Sequence, residues 1–496
     1  MIKNLYKTVA SLCLLAVLPM LQSCNKWLDV NPKTQIKEST QFGTAEGVKD
    51  ALFTVYQNAA DTSAYGTNLT FGFLDILAQR YENKSSATAN FYGQAARYNY
   101  ESTTNDQRSP KALVRATWFS LYKTISQANL ILKNIDGSRD IVGNDVYNIV
   151  KGEALAMRAF CHFDLARLFG GNYAAAGGLP AIPYMKEFTV IPQQRISLTA
   201  VIDQCERELI EAEGLLAVNQ DIDQIAGNQG STNADMFLMY RQNHMNYWAV
   251  KAALARLYLY KGDKVNALKY ALEVINSTKF SFVNIANLNT DPTNVNSDLT
   301  FSSEHIFSIY VSNLFALSEE FFKSQSLTGG ENSDLFSTRA KLDAMYEASL
   351  PGYGTDIRSP AASKSLWNQL TANVVYTKKF YNNSETNVKQ RLIPILKLPE
   401  MYYIAAEAAP SLAKGVEYLN VVREARLLPP LAVPASAEAL DAELQKEYRK
   451  EFYGEGQLWF YYKRKMVVNI PDGVGNPMTA EKYVFPLPDT EIEFGN

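Results

Sequence analysis

Apolar residues at 151–171 recur at three- and four-residue steps on two sides of a cylinder. Ala154, Met157, Cys161, Leu165 and Leu168 form one stripe, and Ala156, Phe160 and Phe163 form a second. A helix that is apolar on two faces needs neighbours on both, so this stretch predicts a buried hub. Glu153 near its start and Arg167 near its end complement the helix dipole, while Gly170 and Gly171 tolerate a left-handed stop. Similar text occurs at 245–276 and 399–426, each predicting an Ala-rich helix, a Gly turn and a second amphipathic helix. Further amphipathic helices are expected at 39–60, 116–135 and 201–218, with 116–135 pairing with the hub. The pattern looks like tetratricopeptide helical hairpins.

Between these helices the periodicity fails. Residues 61–111 set aromatic rings among Gly, Ser, Thr and Asn, and 172–200 and 219–244 read as Gly-, Asn- and Pro-rich connections. The text EHIFSIYVS alternates and predicts a short strand, and 324–392 is the least helical long stretch. The expected fold is therefore mostly α, a single body of tetratricopeptide-like hairpins with long loop-rich insertions and a few short strands. Irregular insertions of this length more often carry function than arise by accident.

The first 23 residues carry Lys3 and Lys7, then an apolar run at 9–21 that is too short to cross a bilayer comfortably. Leu21, Gln22 and Ser23 before Cys24 resemble a bacterial lipobox, which makes Cys24 the expected lipid attachment site. A modification with several acyl chains anchors stably, because each buried methylene contributes about 0.8 kcal/mol.

Five segments then carry a resemblance. They are WLDVNP at 27–32, the hub text AMRAFCHFDLARLFGG followed by GGLPAIPY, and Glu400, Met401 and Tyr402 running into Ala405, Ala406, Glu407 and Ala408. The others are YRKEFYGEGQLWFYYKR at 448–464 and the tail FPLPDTEIEFGN. In this order they resemble the SusD/RagB family of Bacteroidetes outer-membrane nutrient-binding lipoproteins, across essentially the whole chain after residue 23. Departures are Gln457 and Leu458 where the family has a polar pair, and Tyr461 where it has an acid. The resemblance implies a cell-surface, lipid-anchored outer-membrane protein that is not an enzyme. Such a protein binds a nutrient and delivers it to a SusC-like TonB-dependent transporter. An oligosaccharide is the leading ligand class; a peptide ligand, or a helical-repeat scaffold with a protein partner only, is the alternative. The expected division is a signal peptide at 1–23 and a SusD-like helical domain at 24–496. That domain splits into 24–230 and 231–496, with a loop-rich insertion at 277–398.

Composition narrows the chemistry. A net charge of −3 with 20% charged residues argues against a nucleic-acid partner, which favours a basic face. Cysteines at 13, 24, 161 and 205 lack metal or redox spacing, and Cys161 and Cys205 are expected as small buried hydrophobes. His162, His244 and His305 have no ligand-spaced partner, and nucleophile-elbow, Walker A, zincin and dinucleotide motifs are absent. No cofactor or metal is therefore expected, and His162 reads as a satisfied core histidine. Glu451, Glu455 and Arg464, taken on one helix, read as a salt-bridged packing face, and Trp118, Trp248 and Trp459 as core.

The remaining rings stand in polar text. Phe91, Tyr92, Tyr98, Tyr100 and Trp367 would present flat apolar faces that match the C–H face of a pyranose, with Asn90, Arg97 and Asn99 offering hydrogen bonds. None of these positions belongs to a family motif. The expectation is that rings from 81–100 and 324–392 meet on one face of the helical body and bind ligand there.

Overall fold

The computed structural model describes residues 38–82, 92–104, 108–221, 236–238, 241–322, 335–381 and 388–494. Side-chain caps decide where its helices start. Helix α1 (Ala45–Ala59) begins after Thr44, whose hydroxyl accepts from the Gly47 amide, and α2 (Pro110–Asn134) after Ser109, which accepts from Ala112. The hub, α3 (Asn144–Phe169), follows Gly143, and α4 (Leu198–Leu216) is capped by Ser197. Helices α5 (Tyr247–Lys261) and α6 (Lys264–Asn276) are capped by Asn246 and Asp263. After the insertion come α7 (Leu398–Ala408), α8 (Leu412–Ala425) capped by Ser411, α9 (Ala437–Glu451) capped by Ser436, and α10 (Gln457–Lys465). From α1 to α9 each helix packs on the next, including α6 on α7, although residues 277–397 lie between them in sequence. This continuous array of hairpins is the tetratricopeptide-like arrangement expected, and the insertion leaves its helix order intact.

The hub is buried along nearly its whole length, between α2 on one side and α4 on the other. It starts earlier than its periodicity indicated, at Asn144. Its stop also differs from expectation: Gly170 is extended (φ −83°, ψ 162°) rather than left-handed. Lys463, from α10, instead donates from Nζ to the Leu168 and Gly170 carbonyls at 3.1 and 2.7 Å. A lysine side chain thus satisfies carbonyls that the last turn of the hub leaves free.

The two later hairpins turn by different means. Gly262 between α5 and α6 is left-handed (φ +81°), as the sequence predicts. Between α7 and α8 the turn is Ala409, Pro410 and Ser411, and Gly415 lies inside α8 instead. A Cβ there would stand 2.8 Å from both the Ala406 carbonyl oxygen and Leu440 Cδ2, so this glycine permits close helix approach.

Residues 177–197 carry a small sheet of β1 (Pro180–Pro183) and β2 (Arg195–Ser197). In the insertion, the predicted strand forms as β3 (His305–Tyr310). A hairpin of β4 (Trp367–Thr371) and β5 (Val374–Thr377) follows, and β6 (Leu392–Lys397) pairs antiparallel with β3 and leads directly into α7.

Buried charge ties this insertion to the helices. Glu451 at the end of α9 accepts from Arg426 (3.0 and 2.9 Å), Arg358 (3.0 Å) and Lys397 (2.8 Å). Arg426 also grips Glu304 through both carboxylate oxygens (2.7 and 2.6 Å), and Arg358 reaches Glu447 (2.9 Å) and Asp356. Glu455 accepts from Lys379 at 2.7 Å. The expectation of salt-bridged packing for Glu451, Glu455 and Arg464 is met, Arg464 forking onto Glu407 at 2.6 and 2.7 Å. The single helix assumed for them is not. Gly454 (φ +79°) and Gly456 (φ +71°) break the chain between α9 and α10. A Cβ on Gly456 would lie 2.1 Å from the Leu69 carbonyl oxygen. The carboxylate of Asp75 accepts the amides of Gly454 (2.5 Å) and Gly456 (3.0 Å), which holds the break against the core.

Candidate ligand-binding cleft

Tyr92, Tyr98, Tyr100 and Trp367 were expected as exposed rings, yet only 6, 6, 7 and 6% of each is accessible. The correction has a physical cause. An irregular segment can enter the interior when its polar groups are satisfied there, as they are at Trp367, Tyr98 and Tyr100. Trp367 donates its indole N–H to the Arg358 carbonyl at 2.7 Å and meets Tyr453 edge-on at 4.7 Å. Tyr98 donates to the Leu77 carbonyl at 3.0 Å and stacks on Trp459, and Tyr100 donates to the Lys482 carbonyl at 2.7 Å. Arg97 is half-buried and gives Nη1 to the Gly93 carbonyl at 3.0 Å. Asn90, Phe91, and also Cys24, lie outside the described residues.

The two loop regions do meet, but through the core. The Glu82 amide donates to the Phe336 carbonyl at 2.7 Å, Lys341 pairs with Glu82 at 3.2 Å, and Tyr81 and Trp367 both pack on Tyr453. They build wall rather than platform.

Tyr98 and Tyr100 nevertheless contribute to an open cleft of about 730 Å³. It lies where residues 98–101, the stretch after the hub, and 480–486 come together, with Met466 also lining it. Tyr100 packs on Phe485 at 5.1 Å, so rings and the methyl groups of Ala175 and Ala176 make one apolar surface. Around it stand polar groups: exposed Asn99, Glu101 and Glu481, with half-buried Asn172 and Lys482. Asn172 caps the short helix Tyr173–Ala176 through Ala174 and reaches the Arg464 carbonyl at 3.3 Å. Lys482 is held by the Gly475 and Pro477 carbonyls at 2.7 and 2.8 Å, which fixes the 480–486 wall. An apolar floor with a few convergent polar groups in this size range is the ordinary form of a small-ligand site. Sequence reasoning named Tyr98 and Tyr100 but missed residues 171–176 and 480–486. Those walls carry no periodicity and are joined only by the fold.

His162, His305, Cys161 and Cys205 are turned inward. His162 donates Nδ1–H to the Arg158 carbonyl and accepts the Met185 amide at Nε2, and stacks on Tyr184 at 3.8 Å. Burial pulls its imidazole down to about 3, so it is neutral, the satisfied core histidine expected. His305 is likewise bonded to the Thr300 carbonyl and Ser308, and burial lowers it to about 4. Cys161 and Cys205 are buried thiols. Trp118 and Trp459 are core, and Trp248 is half-buried with its N–H on the Gln220 carbonyl at 2.9 Å. Among the described residues no cluster of acids, histidines and cysteines could hold a metal ion, and no helix is long and apolar enough to cross a membrane.

Residues 26–259 match the model of a SusD-like family described as starch-binding and associating with the outer membrane, and 323–493 match the model of the SusD family. SusD-like protein P38 of Formosa agariphila is 24% identical over 522 aligned positions, spanning 96% of this chain and 94% of that protein. SusD-like protein P25 of the same organism is 28% identical over 148 residues, spanning 30% of this chain but only 28% of that protein. In fold, the chain is similar to a SusD superfamily protein from Bacteroides thetaiotaomicron (TM-score 0.68, 22% identity, 91% of this chain and 98% of that one). It is also similar to a SusD-like carbohydrate-binding protein from Bacteroides vulgatus (TM-score 0.67, 16% identity, 91% and 96%). Two family models that together cover most of the sequence, and a hairpin array similar to these folds over 91% of the chain, lead to one conclusion: the chain belongs to the SusD/RagB family.

Proposed function

We propose that this protein is a lipid-anchored receptor on the outer-membrane surface that captures an oligosaccharide and passes it to a SusC-like TonB-dependent transporter. It performs no catalysis in this reading. The observation that carries the ligand class is the cleft of about 730 Å³, with Tyr98 and Tyr100 in its wall and amide and carboxylate groups around them. Aromatic surface beside hydrogen-bonding groups suits a sugar, which has a C–H face and a rim of hydroxyls. Family membership and the carbohydrate-binding relative in Bacteroides vulgatus support the same class.

The test is a glycan and peptide array, followed by calorimetry, on the chain from Asn25 onward. Ala175 is exposed and lines the cleft, so Ala175→Trp should fill it and weaken binding at least tenfold with the melting temperature unchanged. A glycan hit whose affinity survives Ala175→Trp would move the site elsewhere, and binding of peptides alone would replace the sugar reading by the peptide one.

Anchoring rests on Cys24. Cys24→Ala should shift the protein from the membrane to the soluble fraction, or leave an unprocessed precursor. Unchanged fractionation would remove the lipid anchor from the proposal.

A further inference from the structure

Every side-chain donor on the described walls of the cleft already faces an oxygen of the protein itself. Tyr98 donates to the Leu77 carbonyl at 3.0 Å, Tyr100 to the Lys482 carbonyl at 2.7 Å, and Asn99 to the Gln94 side-chain oxygen at 3.0 Å. Asn172 gives its amide to the Arg464 carbonyl at 3.3 Å. The Lys482 ammonium is divided between the Gly475 and Pro477 carbonyls at 2.7 and 2.8 Å, so the one cation on these walls serves the protein's own backbone.

The acceptors are left facing solvent. Glu481 lines the cleft, is exposed, and pairs with no cation among the described residues. Hydrogen bonds from Thr479 and from its own amide hold its carboxyl below the usual range, so it stays ionised. Glu101, also exposed, meets Lys111 at 3.3 Å, but that ammonium lies closer to Asp489, at 3.0 Å. A ligand therefore meets rings, methyl groups and two carboxylates. A uronate or a sulfate ester brings further acceptors and negative charge, for which these walls hold no uncommitted side-chain donor. The hydroxyls of an uncharged sugar can donate, and hydrogen bonds to an ionised acceptor are the stronger kind. Unpaired like charge on one side and charge-assisted bonds on the other separate the two classes.

We infer that the cleft selects an uncharged oligosaccharide and rejects uronate and sulfated glycans, with Glu481 as the residue that sets this selection. Glu101 adds to it from the opposite stretch of wall. The inference rests on the cleft being the ligand site, as proposed above, and names the class of sugar that its walls accept.

The experiment sets neutral gluco-, manno-, xylo- and galacto-oligosaccharides against oligogalacturonate, oligoalginate and carrageenan oligosaccharides, as probes for the chain from Asn25 onward. Binding is read by calorimetry at low and high salt. Hits are expected among the neutral probes alone, with affinities that salt leaves unchanged. Glu481→Gln keeps the shape and removes the charge, and should weaken the neutral hit about tenfold at an unchanged melting temperature. Glu481→Lys should bring oligogalacturonate into binding, with an affinity that falls as salt rises. The variant Ala175→Trp separates the two levels of the argument. An anionic probe that binds the wild type and is blocked by Ala175→Trp overturns the selection and leaves the cleft as the site. A hit that survives Ala175→Trp removes the cleft reading and this inference with it. An array without a neutral hit overturns the inference, and a neutral hit that Glu481→Gln leaves at full affinity takes the selection away from Glu481.

Discussion

Glu451→Gln should lower the unfolding free energy by roughly 3–5 kcal/mol, read as a fall in denaturant midpoint and melting temperature. Glu451 is 1% exposed and takes four hydrogen bonds from Arg358, Arg426 and Lys397, so the neutral amide leaves three buried cations short of a counter-charge. The cost arises from that orphaned charge; a wholly apolar replacement of the cluster would be a different experiment. The acid limb of stability should change with it. Burial pushes the Glu451 carboxyl up, but Arg426, Lys397 and Arg358 outweigh burial and hold it well below 4.5; Glu447 is held at about 2 by Arg358, Lys450 and Arg423 in the same way. Folded values below the unfolded one mean that this stabilisation is complete above 4.5 and drains away as pH falls below it, through about 2 in the case of Glu447. Melting temperature should therefore fall steeply in that window for the wild type and less steeply for Glu451→Gln. Equal stability of the two proteins at pH 7, or parallel acid limbs, would mean that the cluster does not hold the insertion to the helices.

Phe160→Ala in the hub should cost roughly 3–5 kcal/mol through lost transfer energy and the cavity left behind. The ring is fully buried, meets Phe307 edge-on at 5.8 Å and Tyr65 at 6.1 Å, and has the Arg256 guanidinium 5.9 Å away. It joins the hub to β3 of the insertion and to the turn-rich segment before residue 72, so three separate stretches lose a shared contact. Chemical denaturation would show this as a lower midpoint. A wild-type midpoint would require that the hub repack around the gap, which a helix walled by α2 and α4 has little freedom to do.

The hub, the strand His305–Tyr310 and the hairpin at Gly262 were readable because each depends on local facts: apolar spacing, alternation, and a glycine free to turn left-handed. The break between α9 and α10 was also written locally, in two glycines two residues apart, but the apolar spacing running through them concealed it. The aromatic loops were misread for a different reason. Burial of Tyr92 or Trp367 leaves no periodic trace, because an irregular backbone points successive side chains in directions that the tertiary fold alone sets.

What the sequence determined by itself is therefore the helical array and its family, since amphipathic spacing, caps and ordered motifs act over a few residues at a time. The tertiary structure decided the site. Residues 98–101, 171–176 and 480–486 are far apart along the chain, and form one cleft only because α10 caps the hub and brings the C-terminal segment back across it.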